Sequence, residues 1–118
     1  MLVILSGQVT DQDIEKASSD YPSYVKITID IANELVVIGG EYHFDAEQEL
    51  LKKGSKQENI WGGGLDLITK NLETIAMINV RAKLNPSQDI KSQATKEKFL
   101  TIAYKFLKKY AKQPADVH

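Results

Sequence analysis

The chain has 118 residues, 42% hydrophobic and 26% charged, with a formal net charge of −1, which suits one soluble globular domain large enough to bury its own core. It contains no cysteine, which excludes disulfides, thiol catalysis and thiolate metal sites. Residues 1–5 are apolar but stop at Ser6-Gly7 without a basic flank, and no apolar run approaches the roughly 20 residues that span a bilayer; the expectation is a cytoplasmic protein with no membrane partner.

In chain order, residues 2–5 read as a short strand. Thr10 then stands as an N-cap before Asp11 and Asp13, opening a helix to about Ser19 that Pro22 cannot continue. Residues 24–31 alternate, with Val25, Ile27, Ile29 and Ile31 on one face and Tyr24, Lys26, Thr28 and Asp30 on the other, as in a half-buried strand. A tight connection over Ala32-Asn33-Glu34, with Asn33 suited to positive φ, returns the chain along 35–38 as the second arm of a hairpin. That arm is apolar on both faces, so it belongs inside the sheet or under a second layer.

Asp45 is the expected N-cap of a second helix, with Gln48 closing a capping box and Gly54 ending it. Residues 58–68 and 73–83 read as another strand pair, interrupted by Gly62-Gly63-Gly64. A last helix runs from about Ser92 to Lys112 with an apolar stripe of Phe99, Ile102, Ala103, Phe106, Leu107 and Tyr110. The order is β-α-β-β-α-β-β-α. It implies a single α+β domain, a mostly antiparallel sheet of about five strands with three helices packed on one face. Residues 1–82 hold seven basic and 13 acidic side chains, residues 83–118 eight and three. The basic end reads as a solvated helix complementing an acidic body; nucleic-acid binding is disfavoured, because the aromatics lie on the apolar stripe rather than among the lysines.

Three stretches could carry chemistry. Glu41, His43 and Asp45 follow Gly39-Gly40 at every other position, so in extended backbone they would point one way. Two carboxylates and an imidazole could hold a divalent metal or let His43 act as a general base; equally, Asp45 is a cap and Glu41 and His43 stand at a strand end. Arg81 is the sole arginine among 15 basic residues, and only a guanidinium grips a carboxylate or phosphate with two parallel bonds. Set against that is an internal ion pair with Glu41, Asp45 or Glu58. The glycine run after Trp61 suits a bulge first, or a close approach to the backbone. Neither it nor Gly39-Gly40 fits a phosphate loop or a dinucleotide fingerprint.

Gly39-Gly-Glu-Tyr-His-Phe-Asp-Ala-Glu47, Gly54-Ser-Lys-Gln-Glu-Asn-Ile-Trp-Gly62 and Met77-Ile-Asn-Val-Arg81 together resemble an uncharacterised family of small prokaryotic proteins, a domain of unknown function. The chain departs from the family's pattern at Lys56, where arginine is preferred, and after Gly62. The resemblance implies no activity, cofactor or partner. It does imply that Glu41, His43, Asp45, Gln57, Glu58, Trp61, Asn79 and Arg81 belong to one site. The leading expectation is a small-molecule or anion-binding module with latent hydrolytic or metal-dependent chemistry. In it Arg81 grips the anion beside Asn79, His43 and Glu41 move a proton, and Asp45, Gln57, Glu58 and Trp61 complete the pocket. The alternative is a structural or homodimer module, with the polar cluster as a buried network and residues 35–38 as the shared surface.

Overall fold

A computed structural model describes residues 1–114; residues 115–118, the end of the expected loose tail, lie outside the described residues. Five strands, β1 (Val3–Ile4), β2 (Tyr24–Asp30), β3 (Leu35–Ile38), β4 (Ile60–Asp66) and β5 (Leu72–Glu73), form one antiparallel sheet in the order β1-β3-β2-β4-β5. Three helices accompany it, α1 (Asp11–Ala17), α2 (His43–Lys52) and α3 (Gln93–Leu107). The α+β class and the element order agree with the sequence reading.

The helices do not share one face. Val25, Ile27 and Ile29 of β2 pack with Val36, Ile38 and Leu65 beneath α1 and α3, which contribute Ile14, Ala17, Phe99, Ile102, Ala103 and Leu107. On the opposite face Val37 and Ile60 meet Ala46 and Leu50 of α2. That second layer explains why Thr28 and Asp30, on the polar side of the β2 alternation, are buried. It also explains β3, which lies between β1 and β2 with Val36, Val37 and Ile38 covered. The double apolar pattern of residues 35–38 therefore marks an interior strand, not a surface left for a partner.

Local boundaries follow from identifiable bonds. Thr10 and Asp13 form a reciprocal capping box at α1. In the hairpin after β2 the positive φ falls on Glu34, at 55°, rather than Asn33. The turn is held by the buried Asp30 carboxylate, which accepts from Ala32 N (3.0 Å), Asn33 N (3.1 Å), Asn33 Nδ2 (2.9 Å) and, from the start of the next segment, Ser55 Oγ (2.6 Å). Burial pushes that carboxyl up, but those hydrogen bonds outweigh it and hold it below its ordinary value. The helix α3 starts at its Ser92 cap as expected but ends at Leu107, short of Lys112. The cations of α3 and of the turn after it meet acids elsewhere: Lys96–Asp89 at 3.1 Å, Lys105–Glu34 at 3.0 Å and Lys109–Asp11 at 2.8 Å.

The largest departure is residues 73–83, which form no strand beyond Leu72–Glu73. The chain leaves β4, makes a single bridge from Ile75 to Asp89, passes through a 3-10 turn at Met77–Asn79 and bridges Arg81 to Asn85. Ile75 and Met77 are consequently exposed while Asn79 is buried.

Candidate functional site

Three of the polar residues that the sequence singles out, His43, Asn79 and Arg81, meet the backbone of β4. Ile31 N donates to Asn59 O at 2.9 Å, so by antiparallel alternation the N–H and C=O of Gly62 point away from β2, toward the side where β5 has already stopped. Asn79 takes the place of the missing strand. Its Oδ1 accepts from Gly62 N at 2.8 Å and its Nδ2 donates to Gly62 O at 2.9 Å, the two bonds that a neighbouring strand would make. Nδ2 also reaches Thr74 O (3.1 Å) and Gln88 O (2.9 Å). One turn on, the Arg81 guanidinium covers the next exposed carbonyl, donating to Ile60 O and, at 3.2 Å, to Glu58 O.

Asn85, which the sequence reading passed over, is the second such hub. Its Nδ2 donates to the carbonyls of Asn79 (2.9 Å), Ser87 (2.8 Å) and Asp89 (2.9 Å), and its Oδ1 accepts from Lys91 N at 2.8 Å. The loop 79–91 is thus folded around one side-chain amide, as buried backbone polar groups require.

The glycine run is not a bulge: β2 and β4 pair in unbroken register from Tyr24↔Asp66 to Asp30↔Ile60. Its use is close approach. A Cβ on Gly62 would come within 2.7 Å of the Ala76 methyl and 2.9 Å of the His43 ring; one on Gly63 would meet the Phe99 ring at 2.8 Å; one on Gly64 would overlap the Tyr24 ring. Three consecutive residues admit four side chains, from both faces, down onto the backbone.

Glu41, His43 and Asp45 do not converge. The chain turns at Gly39 and Gly40 with φ of 86° and 92°, which β-carbon-bearing residues disfavour, and α2 begins at His43 behind the N-cap Tyr42. Asp45 therefore lies within the first turn rather than capping it, and both it and Glu41 are exposed. Only His43 turns inward, its Nε2 2.6 Å from Gly63 O. A carbonyl accepts and cannot donate, so Nε2 carries the proton. Burial, aided by the Lys26 charge and opposed by the Gly63 carbonyl, lowers the His43 pKa; the ring is neutral at pH 7 and its Nδ1 is an unprotonated acceptor. Among the described residues no group of three His, Asp or Glu side chains is arranged to hold a metal ion.

Five of the eight expected site residues divide between two hollows. The larger, about 570 Å³, is lined by Gln57, Glu58, Trp61 and Arg81 together with Val80, Leu84, Asn85, Ser92 and Thr95. Here the Arg81 guanidinium lies 3.9 Å from the centroid of the Trp61 ring, a cation–π stack. The internal ion pair expected of Arg81 is not formed: among the described residues no carboxylate stands within ion-pair distance. Glu58 contributes its carbonyl instead. Burial lowers the Arg81 pKa, and Glu47, a carboxylate buried on α2, opposes that from farther away. The Nε of Arg81 is buried without an acceptor.

The second hollow, about 400 Å³, is lined by His43 with Tyr24, Lys26, Tyr42, Phe44, Ile75, Ala76, Met77, Ile78 and Gln88. Burial and the nearby Glu73 carboxylate push the Tyr24 hydroxyl far up, so it stays protonated. Asn79 lines neither hollow; it is fully buried in the frame between them.

Among the described residues no helix is long and apolar enough to cross a membrane. A family model described as "Protein of unknown function (DUF5674)" matches residues 3–106. The chain belongs to that family. No curated protein and no solved structure matches it.

Proposed function

We propose that this member of the DUF5674 family is a small-molecule-binding module whose ligand is anionic and sits in the hollow of Arg81. The observation that carries the reading is the state of the guanidinium. It is fixed against Trp61 and tied to the carbonyls of Ile60 on β4 and of Glu58 just before the strand, yet no carboxylate pairs with it among the described residues. Two carbonyl bonds spend two of five N–H donors, and a positioned, unpaired guanidinium is the group that takes a carboxylate or phosphate with two bonds. Gln57 and Glu58 at the rim supply an amide and a carboxylate for the rest of the ligand. Asn79 serves this site as frame, because its amide is spent on backbone. Glu41 and Asp45 take no part in it, and among the described residues no group of three His, Asp or Glu side chains is arranged to hold a metal ion for the expected metal-dependent chemistry.

A second reading, a structural module whose polar cluster is a stabilising network, is favoured by one observation: His43, Asn79 and Arg81 all bond to the backbone of β4. A thermal-shift panel of acetate, benzoate, inorganic phosphate and nucleoside monophosphates separates the two. On the binding reading at least one anion raises the melting temperature of the wild type, and Arg81→Lys, compared with its own ligand-free value, shows no such rise. If every anion leaves the wild type unmoved, or Arg81→Lys responds equally, the network reading stands instead.

A further inference from the structure

The hollow lined by His43 belongs to no part of the Arg81 reading, and its construction is unlike an ordinary surface depression. Four large apolar side chains form its banks: Tyr42 and Phe44, 60% and 58% exposed, at the start of α2, and Ile75 and Met77, 52% and 69% exposed, on the opposite side. Clustered exposed apolar groups of this kind mark binding surfaces. The floor is polar. Lys26, half-buried on β2, places its ammonium 4.4 Å from the Tyr21 ring centroid and 5.9 Å from that of Tyr24.

Among the described residues that ammonium has no carboxylate within ion-pair distance. Nearby Asp20 is spent on Gly40 N at 3.0 Å and on the Met1 amine. Two aromatic faces hold the cation where an acid would normally neutralise it. The glycine run makes the floor: Gly62 lets His43 and Ala76 settle on β4, and Gly64 lets the Tyr24 ring lie across it.

We infer that this groove is a second, independent binding site, for a small amphiphilic carboxylate: an aromatic or branched-aliphatic body between the two apolar banks, its carboxylate on Lys26. The volume of about 400 Å³ falls in the range of about 300–1,000 Å³ typical of small-ligand sites. Charge selects the head group, since an anion recovers a Coulomb interaction that a neutral isostere does not. The apolar banks select the body and leave a highly charged ligand such as a polyphosphate without partners.

The chain has two methionines, and only Met77 lies on the groove, so a methyl-labelled methionine spectrum reports the site with a single peak. Titration with 3-phenylpropionate should move the Met77 methyl saturably, and 3-phenylpropionamide should bind at least tenfold more weakly. Lys26→Met should erase that preference, Lys26→Arg should keep it, and Arg81→Lys should leave it unchanged. Equal affinity for acid and amide in the wild type overturns the inference without recourse to any variant. So does a Met77 peak that follows protein concentration rather than ligand, which would make the patch a contact between copies of the chain. Loss of binding in Arg81→Lys with Lys26→Met intact would refute this site while leaving the Arg81 reading standing.

Discussion

Replacing Asn79 by alanine should be a costly polar deletion, and the structure says how costly. Four backbone groups lose a partner. Two of them keep another: Thr74 O still accepts from Ile90 N at 3.3 Å, and Gln88 O from Ala76 N at 3.1 Å. The N–H and C=O of Gly62 are left buried and unpaired. Each such group costs about 1–3 kcal/mol, so the loss is about 4 kcal/mol, a large part of the 5–15 kcal/mol by which a domain is ordinarily stable. Urea denaturation measures it as a fall in midpoint of roughly 2–3 M at a slope of about 1.5 kcal/mol/M.

Asn79→Asp sharpens the test. The oxygen that accepts from Gly62 N is retained, but the donors become acceptors facing three carbonyls. The introduced carboxyl has its pKa raised on folding, so the variant is least destabilised below its unfolded value of about 4 and loses stability as pH rises through the folded one. A loss below about 1 kcal/mol in Asn79→Ala, or no pH trend in Asn79→Asp, would refute the view that a side-chain amide completes the sheet edge.

Gly63→Ala should destabilise by about 3 kcal/mol in the same assay, because the new methyl meets the Phe99 ring and Glu73 O, at the upper end of ordinary overpacking costs. Gly7→Ala, with nothing within 4 Å, should be nearly neutral; comparable losses at both positions would mean that the run is not there for close approach. The depressed His43 pKa makes folding weaker as pH falls below about 6.5, where the unfolded chain takes up a proton that the folded one refuses. The urea midpoint should therefore drop between pH 7.5 and 5.5, and His43→Gln, which can still donate to Gly63 O, should remove the drop. A slope that persists unchanged in that variant would show that another group titrates.

What was legible in the sequence was what rests on local pattern. The alternation over residues 24–31, the Thr10 cap, the stripe of α3 and the doubly apolar 35–38 each state a side-chain environment, and each element forms. What was not legible rests on single long-range bonds. Glu73, Ile75, Met77, Asn79 and Arg81 alternate as a strand would, but Asn79 supplies from its side chain the bonds that a strand would supply from its backbone, and the chain is free to leave the sheet. Periodicity cannot see such a substitution. Asp45 was a plausible cap by type, yet the two left-handed glycines start α2 three residues earlier, behind Tyr42, and turn Glu41 outward.

Residues of the three motifs meet at the backbone of β4 through His43, Asn79 and Arg81 and open into two hollows instead of converging in one. Lys26 escaped notice because a lysine on the polar side of an alternating strand looks like an exposed one. Only α2, lying over that face, reveals it as half-buried. The Asp30–Ala32–Asn33 turn, by contrast, carried an available signal, an aspartate at a strand end followed by an asparagine.

With one arginine in the chain, the Nε–Hε region of a nitrogen-15 spectrum contains one arginine signal, from the buried Nε of Arg81. Titrating the protein with benzoate while following that signal tests directly whether the guanidinium is an anion receptor. The account predicts a saturable shift that survives Lys26→Met. A signal that stays put, or drifts in proportion to added salt without saturating, would contradict it.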